Sequence, residues 1–172
     1  MFQSLSIWVR ELAGSKHMHN EKQKGWVYVL IQFIIILLIL GLCFRDLGNI
    51  GDKNSVGSIA GLAISIAGFV LMVVTLISFR QIMTPNPVPL DNSILTTTGI
   101  YKYVRHPMYS SVLFSLLGVV IYFKSISGFT VWIIGVIFII YKIRFEEHNL
   151  IKRFPDYTAY SNKSKKLIPF IY

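Results

Sequence analysis

Four apolar runs divide the chain, separated by polar stretches of unequal length. Residues 26–44 are interrupted only by Gln32 and Gly41, and residues 56–79 contain no charge. Residues 107–123 and 128–143 are shorter and are joined by Lys124, Ser125, Ile126 and Ser127. A helix needs about 20 apolar residues to cross about 30 Å of hydrocarbon, so the first two runs predict transmembrane helices. The short connection between the last two predicts a helical hairpin. Ahead of them Leu5, Trp8, Val9 and Leu12 fall at helical spacing, with Arg10, Lys16, Lys22 and Lys24 among or after them. That pattern predicts a short interfacial helix within residues 1–25, and no signal-peptide core or cleavage site accompanies it. The expected fold is therefore all-α: a polytopic membrane protein with about four transmembrane helices, the last two a hairpin, plus an N-terminal interfacial helix. It reads as one integral membrane domain over 1–172, with 26–79 holding two spans and 80–172 the motif-bearing region.

Small residues refine this picture. The second run carries Gly57, Gly61, Gly68 and several Ala and Ser, a composition that lets helices approach closely in lipid and predicts a central place in the bundle. Residues 80–106 form the longest polar interval between the apolar runs, and Pro85, Pro87 and Pro89 make its first half extended. Loops of this length in compact proteins carry function or are disordered, and the aromatic and charged second half favours function.

Composition agrees with a membrane protein: 53% of residues are hydrophobic and 15% charged. A net charge of +9 would suggest nucleic acid in a soluble chain, but here the basic residues flank apolar runs, where topology and anionic headgroups account for them. Nucleic acid is not an expected partner. Fourteen of the 17 Lys and Arg residues fall on one side of the four runs, counting Lys142 near the end of the fourth, and Arg45, Lys53 and Lys124 on the other. The positive-inside rule places both termini and the 80–106 loop in the cytoplasm. A prokaryotic inner membrane is the expected location ahead of the endoplasmic reticulum. Cys43 is the single cysteine, so no disulfide within the chain is available, and His17 and His19 stand in a polar stretch that suggests no metal.

Candidate chemistry gathers in two places. Tyr101, Tyr103, Arg105, His106 and Tyr109 lie within nine positions, and Pro107 sits where a helix would start. Arg105 at a helix N-terminus makes a plausible seat for a carboxylate or phosphate. A last helix running on from Gly128 to Arg153 would reach about 39 Å, roughly 9 Å more than the hydrocarbon, so Arg144, Glu146, Glu147, His148 and Asn149 would project on the same face. Arg144 shares a helix face with Glu147 and His148. Carboxylates for an ammonium, a cation for a carboxylate and rings for a flat base suit S-adenosylmethionine, although NADPH or a phospholipid headgroup would also fit a basic, aromatic pocket.

The stretch from Thr98 through Gly99, Tyr101, Arg105, His106, Pro107 and Tyr109 resembles the Gly-x-Tyr-(x)3-Arg-His-Pro-x-Tyr motif of the isoprenylcysteine carboxyl methyltransferase and phospholipid methyltransferase superfamily. Glu146-Glu147 with Leu150, then Phe154, Tyr157, Tyr160 and Ile168-Pro169, is similar to the tail of the same superfamily. The resemblance implies S-adenosylmethionine as cofactor, bound by Tyr101, His106, Tyr109, Glu146 and Glu147. It implies a lipidic or prenylated acceptor arriving from the bilayer, with Arg105 facing its reacting end and Glu147 sharing the catalytic role. Carboxyl O-methylation of an isoprenylcysteine-like substrate is the first expectation. N-methylation of phosphatidylethanolamine is an alternative, and a membrane reductase using NADPH a more distant one, since sterol reductases carry a similar Arg-His-Pro-x-Tyr segment.

Overall fold

The computed structural model describes residues 2–49, 55–79, 86–89 and 93–168, and the side chains of 2–19, 48 and 49 lie outside that description. Arg80, Pro85, Lys53 and Pro169 fall outside it too, as do the side chains of Leu5, Trp8, His17 and His19. Among the described residues every regular element is helical: α1 Phe2–Arg45, α2 Val56–Ser78, α3 Pro107–Tyr122, α4 Ile126–Arg153 and the short α5 Tyr157–Ser161, with 3-10 turns at Asp46–Asn49 and Gly99–Lys102. Three segments are long and apolar enough to cross a membrane: Asn20–Arg45, Val56–Ser78 and Ile126–Arg153. Helix α3 is apolar but has 16 residues, about 24 Å. Large side chains such as Leu30, Phe33, Ile59, Phe69 and Ile137 face outward, an arrangement that lipid solvates and water would not.

Two expectations change. The N-terminal segment is helical, but it runs into the first span without a break, so α1 is one helix of 44 residues. Helix α2 does not sit at the centre. Among the described helices its small-residue face is spent on α3, while Ile59, Leu62, Ile66, Phe69 and Val70 are exposed. The contact is close: a Cβ on Gly61 would stand 2.5 Å from the Tyr122 backbone nitrogen, and one on Gly118 2.3 Å from that of Ser65. A small face licenses one close neighbour, not a central position. The centre belongs to α3, which packs on α1, α2 and α4.

Local chemistry sets the helix ends. Pro107 opens α3, where its missing N–H costs nothing. Ser125 caps α4 by accepting from Gly128 N at 3.0 Å. Between them the hairpin closes with Lys124 N donating to Ile121 O and Ser125 N to Val120 O, the paired bonds of a Schellman ending, with Lys124 in the left-handed region at φ 51°. Beneath this turn Ile39, Cys43, Leu116 and Val120 form a core with Val131 and Trp132 against it. A second core, Ile139, Ile143 and Leu167 with Tyr109, Leu113 and Phe138, lies at the opposite end of the bundle. Leu167 belongs to the segment after α5, which turns back onto the bundle.

Candidate active site

Gly99 starts the site at φ 61°, a conformation glycine adopts without the strain a Cβ brings. The 3-10 turn it opens buries Tyr101. Residues 103–106 then run beside the tail in a short parallel pairing: Lys165 N donates to Tyr103 O at 2.9 Å, Arg105 N to Lys165 O at 2.7 Å and His106 N to Lys166 O at 3.0 Å. These bonds alter one expectation. The backbone N–H groups of Arg105 and His106, just ahead of α3, are occupied by tail carbonyls and are not offered to an anion.

The Arg105 guanidinium is likewise turned onto the protein. Its side chain is 8% exposed, and Nε donates to Glu147 Oε1 at 2.9 Å. Nη1 donates to Ser161 O at 2.7 Å and also to Ser164 O. Nη2 makes no hydrogen bond to any described residue. Glu147 is held besides by Lys166 Nζ at 3.4 Å and by the Tyr157 hydroxyl at 3.4 Å. One carboxylate thus ties α4, α5, the tail and the segment leading into α3 together. Removing one partner of such a buried pair costs about 3–5 kcal/mol, because the other charge is left uncompensated.

Glu146 faces differently. It accepts a 2.6 Å hydrogen bond from the Tyr109 hydroxyl and lies 3.8 Å from His106 Nδ1. His106 stacks on Tyr109 with ring centroids 5.6 Å apart. Its Nε2 is 3.4 Å from Glu147 Oε1 but too poorly aligned to hydrogen-bond, which leaves a buried ring nitrogen without a hydrogen-bond partner among the described residues. Tyr160 donates to Tyr101 O at 2.6 Å. Burial pushes the phenols of Tyr101, Tyr157 and Tyr160 up, and the nearby carboxylate Glu146 adds to this at Tyr101, as Glu147 does at Tyr157. All three stay neutral donors at physiological pH.

Tyr101, Arg105, His106 and Glu146 line one cleft of about 770 Å³ with Phe79, Leu150, Phe154, Tyr157 and Tyr160. Its other wall is Asn86–Pro89 and residues 93–96. The Asn86 side chain anchors that wall by donating to Lys22 O at 3.0 Å and accepting from Val88 N at 3.0 Å. Helix α1 makes room for it with Gly25, whose Cβ would fall 2.1 Å from Asn86 Oδ1. A separate groove of about 620 Å³ between α3 and α4 is lined by Ser110, Phe114, Leu117, Trp132, Val136, Ile140, Leu167 and neighbours. The Ser110 hydroxyl donates to Leu167 O and fastens the tail at the upper end of this groove.

The structure therefore brings together Tyr101, Arg105, His106, Tyr109, Glu146 and Glu147, all named from sequence. Arg144 and His148 are not part of the constellation. Both are exposed, and Arg144 lies 5.7 Å over the Tyr141 ring, because Glu147 is turned inward to Arg105. Sequence reasoning passed over Lys142, Gln32, Asn86 and the serine carbonyls that hold Arg105. A lysine one turn before Glu146 inside an apolar run, and a glutamine as the one amide in residues 26–44, were visible signals.

A family model described as phospholipid methyltransferase matches residues 56–156, more than half of the chain. The match takes in α2, α3, all of α4 and every candidate site residue through Glu147, and it ends just before the tyrosines of α5. No individually curated protein matches the chain. With this match the reductase alternative drops out. The helices long enough to cross a bilayer make the protein an integral membrane methyltransferase, and by the extent of the match the chain belongs to the phospholipid methyltransferase family.

Proposed function

We propose that the chain moves the methyl group of S-adenosylmethionine onto a lipid-borne nucleophile at the cytoplasmic face of the membrane. The observation that carries this reading is a polar and aromatic cleft at one end of the bundle that shares α4 as a wall with an apolar groove running along α3 and α4. The donor set fits the cofactor. Glu146 suits an ammonium, and Tyr101, Phe154 and Tyr157 a flat base or a sulfonium. Bound there, S-adenosylmethionine supplies an electrophilic methyl group. The protein's part is to orient the reactants and exclude water, which Tyr157 and the half-buried Phe154 favour. The excess of basic residues at this end supports the cytoplasmic orientation.

Carboxyl O-methylation of an isoprenylcysteine-like lipid is the first reading of the acceptor, since a carboxylate is already nucleophilic and needs only orientation. The fork of Arg105 is largely engaged by Glu147 and the tail, so this reading rests on Nη2 alone. N-methylation of phosphatidylethanolamine is the second reading, and His106 favours it. An amine must lose a proton, and a buried imidazole nitrogen without a hydrogen bond, set between two carboxylates, can take one.

The test is competition in one vessel. Purified protein in nanodiscs containing phosphatidylethanolamine is given methyl-labelled S-adenosylmethionine and a prenylcysteine analogue. Base-labile label on the analogue supports the first acceptor, and label in the phospholipid supports the second. Label in neither, at the level of a Glu146→Gln control, defeats the lipid acceptor.

A further inference from the structure

Lys142 lies inside the bundle, 2% exposed, in the apolar part of α4. A cation there is costly unless it is used, and the usual compensation is a carboxylate. None of the described carboxylates comes within 4.0 Å of it. Its Nζ instead donates to Gln32 Oε1 of α1 at 2.5 Å and stands 5.0 Å over the face of Tyr109. The Tyr109 ring is in turn stacked on His106, and its hydroxyl donates to Glu146 at 2.6 Å. Lys142 and Glu146 are one helical turn apart on the same face of α4.

These contacts form one path from Gln32 through Lys142 and Tyr109 to the carboxylate that lines the cleft. A cation over the ring face draws electron density from the phenol and strengthens its hydroxyl as a donor, and hydrogen bonds linked in series polarise one another. We infer that Lys142 is a positioning residue: through the face of Tyr109 it fixes the Tyr109 hydroxyl on Glu146 and so holds that carboxylate in place for the cationic group of the ligand. Gln32 anchors the ammonium from the other side, which explains an amide in the first apolar run. The role needs a positive charge at position 142, where simple gluing of α4 to α1 would need only a hydrogen-bond donor.

This rests on the cofactor reading above, and calorimetry of S-adenosylhomocysteine in detergent separates the two. Wild type is expected to bind. Lys142→Met should weaken binding at least tenfold, Lys142→Gln nearly as much, and Lys142→Arg should restore it to within threefold. Tyr109→Phe should also weaken binding at least tenfold, and the Lys142→Met/Tyr109→Phe pair should be no worse than about threefold beyond either single change, since both cut one path. Melting temperatures read alongside separate loss of fold from loss of binding. If wild type binds and Lys142→Gln binds equally well, or the two losses multiply, the positioning role is overturned while the cofactor reading stands. If Lys142→Met does not purify, Lys142→Gln against Lys142→Arg decides by the same criterion. Absence of binding to wild type overturns the cofactor reading and this inference with it.

Discussion

Two adjacent carboxylates illustrate how neighbours in sequence diverge in space. Glu146 and Glu147 are about 100° apart around α4, enough to aim one at the cleft and the other at Arg105. Glu146→Gln is expected to lower cofactor affinity by about tenfold or more, the loss of one charge-assisted contact of about 1.5–3 kcal/mol, with little change in melting temperature. Glu147→Gln should do the reverse in kind: it leaves Arg105 and Lys166 short of their carboxylate, and the melting temperature should fall by the equivalent of about 3 kcal/mol or more. Calorimetry and thermal unfolding on both variants check the division, and equal effects in both would show that the pair works as one unit. Both carboxylates were legible from the motif. Their separate duties were not, because the partner of Glu147 comes from a segment 42 residues away and is fixed only by folding.

At the scale of elements, the hairpin between α3 and α4 carries a residue at odds with its conformation. Lys124 occupies the left-handed position that glycine usually takes in a Schellman ending, at a cost of about 1 kcal/mol for a residue with a Cβ. Lys124→Gly is expected to raise stability by about 0.5–1 kcal/mol in reversible denaturation, with cofactor affinity unchanged because the turn is at the other end of the bundle. Gly118→Val should do the opposite: with its Cβ 2.3 Å from Ser65 N, α2 and α3 must part along their length. A loss below about 1 kcal/mol would mean that α2 can slide without penalty. The hairpin and the small face of α2 could be read in advance. The position of α2 could not, because a stripe of small residues states how close a neighbour comes and not how many there are.

For the whole molecule, sequence patterning anticipated an all-helical membrane bundle with its chemistry at one end, and the long α1 was its main omission. The charge asymmetry weakens slightly once Lys142 is removed from the surface count, since it is buried among helices. By the sequence count, thirteen of the 17 basic residues still stand on the same side of the four apolar runs as residues 80–106. Lys124→Cys is therefore expected to react with impermeant thiol reagents from outside intact cells, and Asn162→Cys only after permeabilisation. The reverse pattern would put the cleft on the side where the methyl donor is not made.

The shortness of α3 has a consequence for the bilayer around the protein. At about 24 Å it falls roughly 6 Å below the usual hydrocarbon thickness, and three packed neighbours leave it little freedom to tilt. Such hydrophobic mismatch is relieved by local thinning of the lipid, at fractions of a kcal/mol per Å. The annulus beside α3 would then dip toward Arg105, lowering headgroups to the depth of the cleft instead of requiring a lipid to rise to it. Thin membranes would present acceptors already at the level where they react, and membrane thickness itself would become a determinant of turnover.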